Sequence, residues 1–254
     1  MERIPPLGDA EALDGVSCAS STDCTAVGYG KSSVAAHWNG TRWSAQSVHF
    51  GDPNGRPNAL TSVSCTPSSC AAVGWDNVGL CGGDVENFYS VPVLGLWTDR
   101  SWWLRRRPNL VCSNSSDTAG GYTVNGVSCT SRIACIAVGT AVYRWEGHRW
   151  SIQPGPAGAD GLNGVSCASS NACTAVGSRI YAWNGLDWSG VRIPRPARDT
   201  APELAGVSCL SRSSCVAVGS YLDPSLNGFM LVESIGIGAA PAKPARRANA
   251  CVEG

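Results

Sequence analysis

Cysteine is the residue whose number and spacing promise most chemistry in this sequence. Ten of its 13 cysteines recur as close pairs: Cys18/Cys24, Cys65/Cys70, Cys129/Cys135, Cys167/Cys173 and Cys209/Cys215. Zinc knuckles favour a Cys-x2-Cys pair completed by further Cys or His. These pairs have four or five residues between them, and the only histidines are His37, His49 and His148. Each pair flanks a short polar turn between two β-forming runs. The two residues therefore face each other across a hairpin, where a Cα separation of about 5.5 Å suits a disulfide. Five such bonds imply an oxidising compartment. Cys81 and Cys112 lie in two insertions on one side of their repeat and are expected to bond to each other, leaving Cys251 unpaired.

The carboxylates and hydroxyls offer less. Glycoside cleavage needs two carboxyl groups, or a nucleophile and an acid, held across the sugar. Asp76, Asp84, Glu86 and Asp117 all fall in one repeat, and no second repeat answers them. Ser-His-Asp catalysis finds no support, since serines are abundant and the three histidines sit beside tryptophans or in loops. The formal net charge is zero and only 15% of residues are charged, whereas a nucleic-acid binder draws its affinity from a basic excess. No run approaches the roughly 18 apolar residues of a membrane span. No cofactor, metal, nucleic acid or membrane span is expected.

The elements that position these residues are repeats. Five segments share G/S-V-S-C, a polar turn and C-x-A-V-G, beginning at Gly15, Ser62, Gly126, Gly164 and Gly206. The first four are followed by tryptophan pairs with four residues between them: Trp38/Trp43, Trp97/Trp102, Trp145/Trp150 and Trp183/Trp188. The runs are short, β-branched and aromatic, bounded by Gly, Asn, Asp and Ser. Asn39-Gly40 and Asn184-Gly185 suit the two central positions of a type I′ hairpin. Four-stranded units of about 40 to 45 residues are the signature of propeller blades. The expected fold is all-β, a five-bladed β-propeller of four-stranded antiparallel blades.

One domain spans residues 1–237, with repeats at about 9–48, 58–107, 122–153, 160–194 and 202–235, and a Pro/Ala/Arg tail at 238–254 reads as disordered. Repeat five lacks a fourth strand, and Arg3-Ile4-Pro5-Pro6 matches Arg192-Ile193-Pro194 of repeat four. Residues 1–8 are therefore expected to complete the last blade and close the ring, removing a sheet edge. The competing expectation is a piece of a longer propeller. Met1-Glu2-Arg3 has neither a basic nor an apolar leader region, so export would need a removed leader or another route.

The combination G-V-S-C, C-x-A-V-G and W-N-G-x-x-W resembles the secreted, repeat-rich bacterial propellers of sialidase-like or Asp-box-like type, over residues 3 to 235. Asn39 to Trp43 and Asn184 to Trp188 are similar to a degenerate Asp-box, which in that family is structural and lies opposite the ligand face. Arg3-Ile4-Pro5 and Arg192-Ile193-Pro194 are similar to the motif that supplies those enzymes with a carboxylate-binding arginine. Both occupy the same place in the repeat, which reads as an outer strand.

The face carrying the insertions is the better candidate. Tyr29, Trp75 and Tyr221 follow the second strands of their repeats, and repeat two adds Asp76, Asn77, Asp84, Glu86, Asn87, Phe88 and Tyr89. Aromatics beside amides and carboxylates suit sugar or peptide recognition, and equally a loop that packs its own aromatics. The tryptophan pairs read as core. The expected function is a monomeric, non-catalytic binding or scaffold module, extracellular or on the cell surface, with a glycan or an extracellular protein as ligand. The alternative is a sialidase-like glycoside hydrolase.

Overall fold

The computed structural model describes residues 10–49, 58–79, 88–98, 101–106, 123–192, 202–223 and 227–236. Every described element is a strand. Blade one comprises β1 (Ala10–Ser20), β2 (Asp23–Gly30), β3 (Ser33–Trp38) and β4 (Trp43–Gln46), followed by β5 (Val48–His49). Blade two comprises β6 (Asn58–Thr66), β7 (Ser69–Gly79), β8 (Phe88–Thr98) and β9 (Ser101–Arg106). Blade three holds β10 (Val124–Ser131), β11 (Ala134–Gly139), β12 (Val142–Trp145) and β13 (Trp150–Gln153). Blade four holds β14 (Leu162–Ser169), β15 (Ala172–Gly177), β16 (Ile180–Trp183) and β17 (Trp188–Val191). Blade five has β18 (Glu203–Ser211), β19 (Ser214–Leu222) and β20 (Gly228–Ile235). Each sheet runs antiparallel in chain order, and β5 adds in parallel to the outer edge of β9. This is the up-and-down blade arrangement of a β-propeller.

The blades join through their first strands: β1 packs on β6, β6 on β10, β10 on β14 and β14 on β18. The seams hold the core. Val27, Ala35, Leu60, Val63 and Ala72 fill the first, and Val138, Val142, Leu162, Val165 and Ala175 the third. Burying each such valine or leucine contributes ~1.5–3 kcal/mol.

All five cysteine pairs of the repeat form disulfides, with Cα atoms only 3.9–4.0 Å apart. That is closer than the separation expected from the sequence, and the reason is register. Each pair sits directly opposite, as with Cys65 on Cys70, Cys129 on Cys135 and Cys167 on Cys173. The short spacing is that of a non-hydrogen-bonded pair, whose N–H groups point out of the ladder. The outward N–H of the first cysteine needs an acceptor. The serine of the preceding blade supplies it: Cys65 donates to Ser17 Oγ at 2.9 Å, Cys129 to Ser64 at 2.9 Å, Cys167 to Ser128 at 2.9 Å and Cys209 to Ser166 at 3.0 Å. Val-Ser-Cys is thus both a disulfide arm and a blade-to-blade link.

The sequence reading treats the two cysteines of a pair alike, as staples beside a polar turn, and the structure corrects this. The second cysteine of every pair is core: Cys24, Cys70, Cys135, Cys173 and Cys215 are only 3–8% exposed. Their partners Cys18, Cys65, Cys129, Cys167 and Cys209 are half-buried or exposed. The difference follows from strand position, because the second cysteine lies on a strand paired along both edges whereas the first lies on the inner edge strand. Cys135 packs with Val127, Ala137 and Tyr143, and Cys173 with Val165, Ala175 and Trp183. Each disulfide therefore fills the seam as a small apolar group in addition to tying the hairpin.

The tryptophan pairs lie across β3/β4, β8/β9, β12/β13 and β16/β17, with ring centroids 5.5–5.8 Å apart and planes tilted by 43–53°. The turns between them differ from the type I′ expectation. Asn39 N–H donates to Arg42 O at 3.2 Å, so the two central residues are Gly40 and Thr41, with Gly40 at φ +91°. Asn39 instead uses its side chain, Oδ1 accepting from the N–H groups of Thr41 and Arg42, both at 3.0 Å.

The ring is open between blades one and five among the described residues. No packing of β18 on β1 matches the other inner-strand contacts. Residues 1–8, Cys81, Cys112, Cys251 and the 238–254 tail lie outside the described residues, and with them the expected closing strand and the Cys81–Cys112 bond.

Candidate functional site

The rim opposite the disulfides is built by the turns between second and third strands. In blade two these strands run 11 residues each, against four to six in blades three and four. The extra length is a two-stranded ribbon pairing Asp76 with Val91, Asn77 with Ser90, Val78 with Tyr89 and Gly79 with Phe88. The insertion between β7 and β8 thus starts and ends as sheet, while Asp84, Glu86 and Asn87 lie outside the described residues. Blade five has a shorter ribbon, with Tyr221 opposite Phe229, closed by Asp223 N–H on Asn227 O at 3.0 Å.

Pleat phase decides which rim residues converge, because successive side chains along a strand point to opposite faces. Tyr29 shares the phase of Val27, which clusters with Leu60 and Val63, so it faces the seam between blades one and two. Asp76 shares the phase of Ala72, which clusters with Val27 and Ala35, and faces the same seam from the other side. Trp75 shares the phase of Val73 and turns toward Val124 and Val127 of blade three. Tyr221 shares the phase of Ala217, turns toward Val176 and Ile180 of blade four, and stacks on Phe229 at 5.3 Å with planes 20° apart. The three aromatics grouped by sequence therefore stand at three different seams. Tyr29 and Asp76 face one seam; Trp75 and Tyr221 face others.

The first seam carries a buried polar group that sequence reasoning missed in part. Ser33, Asn58 and Asp76 are all buried, Asp76 completely at 0% exposure. Asn58 lies opposite Asp76 across β6 and β7. Its Oδ1 accepts from the Ser33 N–H at 2.8 Å and also bonds Ser33 Oγ. Burying polar groups is costly without such partners. The other buried polar residues, Thr25 and Thr174, contact the Sγ of Cys70 and Cys215 of the next blade at 3.7 and 3.4 Å. Hydroxyl, amide and carboxylate beneath a tyrosine can orient a ligand through hydrogen bonds. Hydrolysis of a glycoside would need a second carboxyl group held across the bond from Asp76.

Arg192 is exposed just beyond β17, on the outer edge of blade four, away from any of these groups. His37 Nε2 lies 2.9 Å from Asp23 Oδ1 near the disulfide end. The repeat cysteines make no reactive site of their own. With Cys135 and Cys173 bonded and buried, for example, those pairs hold no thiolate to act as a nucleophile. An open groove of about 530 Å³ lies at the free end of the arc, lined by Asn163, Glu203, Ala205, Val218, Gly219 and Ser220. The seam serines were also missed as linkers. Their signal was present, since Ser17, Ser64, Ser128, Ser166 and Ser208 recur in all five repeats.

No family model matches this chain, and no curated protein matches it. Solved structures do. The chain is similar to YCF48 bound to D1 peptide, with a TM-score of 0.50 and 15% identity over 89% of this chain and 70% of that one. It is also similar to a glycoside hydrolase (TM-score 0.39, 10% identity, 95% and 93% covered). A subtype N11 neuraminidase-like protein from a flat-faced bat isolate (H18N11) gives a TM-score of 0.37 at 10% identity, with 94% and 91% covered. The first of these likenesses supports the β-propeller fold, and at such identity it carries the fold alone.

Proposed function

We propose that the protein is a non-catalytic binding module of an extracellular or cell-surface compartment. Its ligand site is the rim of the seam between blades one and two. The observation that carries this reading is the buried group Ser33, Asn58 and Asp76 set beneath Tyr29, where the blade-two ribbon begins. Tyr29 offers a half-exposed aromatic face, and the blade-two ribbon rises beside it from Asp76; Asn77, Asp84, Glu86 and Tyr89 remain ligand candidates on their residue types alone. The ligand class is a glycan or an extended peptide, both of which pair an apolar platform with oriented hydrogen bonds. The five disulfides support the oxidising compartment.

A glycan array run beside a peptide library tests this reading. Tyr29→Ala and Asp76→Asn should each weaken the best hit about tenfold or more, the loss expected when an aromatic anchor or a buried hydrogen-bonding group goes. Trp75→Ala, at the next seam, should change it less. Binding indifferent to Tyr29 and Asp76 would move the site elsewhere, and turnover of a fluorogenic sialoside lost in Arg192→Ala would replace the module by an enzyme.

A further inference from the structure

The last blade presents a face that every other blade buries. Val218 is 47% exposed, while its counterparts Val27, Val73, Val138 and Val176 are all at 0%. On the adjacent strand Val232 is 67% exposed, against 0–3% for Ala35, Leu94, Val142 and Ile180 in register. Beside them, Met230 is almost fully exposed. Blade one shows the complementary defect. Val16 is 64% exposed, whereas Val63, Val127 and Val165 stay at or below 8%, and Leu13 is exposed where Leu60, Val124, Leu162 and Leu204 are buried.

The backbone devices of the seam stop at the same place. A methyl group at Gly15, Gly126 or Gly164 would lie 3.1–3.2 Å from the Cα of Ser62, Gly164 or Gly206 in the next blade, so these seams depend on a bare glycine. Among the described residues, a methyl group at Gly206 would meet only Val218 Cγ2 of its own blade, at 3.8 Å. Ser208 is exposed, and among the described residues it makes no counterpart of the bond that Ser17, Ser64, Ser128 and Ser166 each accept from a cysteine N–H. One device is absent from blade five: Asn125 and Asn163 donate to the carbonyls of Leu162 and Leu204 at 2.9 Å, but Ala205 occupies their place.

We propose that the free face of blade five receives the blade-one face of a second copy of this chain, in head-to-tail association. Val16 and Leu13 of one copy would cover Val218 and Val232 of the other, and Cys18 N–H would reach Ser208 Oγ. The contact continues an interface that the chain already builds four times. The occupant is a second copy because the chain holds both halves of the seam exposed at once, with its own blade one not on its own blade five. Such a contact is heterologous, so it closes a ring or extends according to the rotation it imposes. Ala205 leaves it without the amide bond of the third and fourth seams, and the monomer expected from sequence becomes the dissociated form.

Light scattering over a range of concentrations tests the proposal. The native protein should exceed the monomer mass, while Val16→Asp and Val218→Asp should each be monomeric alone. Mixed, they should form a one-to-one heterodimer, because one retains an intact blade-five face and the other an intact blade-one face. Val16→Ser and Val218→Ser, milder at these exposed positions, should raise the dissociation constant at least tenfold with an unchanged melting temperature. A native protein that stays monomeric at all concentrations, as when its own blade one fills the face, overturns the proposal. So does a mixture that forms no heterodimer.

Discussion

Val176 and Val218 are the same residue of the repeat, in the same strand and the same register, yet one is wholly buried and the other half exposed. Nothing in either blade accounts for the difference. It arises because β18 packs on blade four while no described strand packs on blade five in the same way. Burial in a propeller is thus a property of the seam, and a blade has two faces whose fates depend on different neighbours.

The sharpest way to break that comparison is to charge both valines. Val176→Asp should destabilise the chain by more than about 3 kcal/mol, since an unpaired carboxylate would enter an apolar cluster with Ile180, Leu204 and Ala217. Val218→Asp should cost less than about 0.5 kcal/mol in the monomer. Urea unfolding measures both, and equal losses would mean that blade five is covered in solution.

A smaller effect separates the serines. Ser166→Ala removes the acceptor of the Cys209 N–H and should cost about 1–2 kcal/mol, the penalty for stranding a partly buried donor. Ser208→Ala should leave the monomer's stability unchanged, so a loss at Ser208 as large as at Ser166 would reveal a partner for it within the chain.

The smallest effect concerns Glu233, on β20. It shares a pleat phase with Leu231 and Ile235, which pack against the blade-four seam, and desolvation there pushes its carboxyl above the ordinary value. The folded state therefore holds this proton more tightly than the unfolded chain. That contribution is present below the unfolded carboxylate pKa and is lost as pH rises through the folded one. Melting temperatures followed upward from acid pH should show a slightly steeper fall for native protein than for Glu233→Gln; parallel profiles would remove burial of this group from the account.

Much of the architecture could be read from the chain because it is local. Cys18 meets Cys24 and Trp38 meets Trp43 across tight hairpins, so spacing alone pairs them. Spacing could not tell that Cys135 and Cys173 are core while Cys129 and Cys167 are not, since that depends on the strands packed around each hairpin. The pleat could have been counted too: Trp75 is one residue past its Val-Gly and Tyr221 two, which already places them in opposite phases. Asn58 was harder to find, because its partner Ser33 belongs to another blade 25 residues away and no repeat copies that pair. The turn residues misled for a different reason. Asn39 and Gly40 suit a type I′ turn by composition, but the tryptophan register moved the loop one residue onward.

By itself the sequence determined the blades, their disulfides and their tryptophan hairpins, because hydrophobic alternation, turn residues and short loop closures act within about 40 residues. Only the tertiary structure decided which faces meet. It brought Tyr29 and Asp76 to one seam, turned Trp75 and Tyr221 to others, and left Val16 and Val218 bare at the two ends of the arc. Those outcomes depend on how one sheet is rotated against the next, a relation between segments that identical repeats cannot encode separately for each blade.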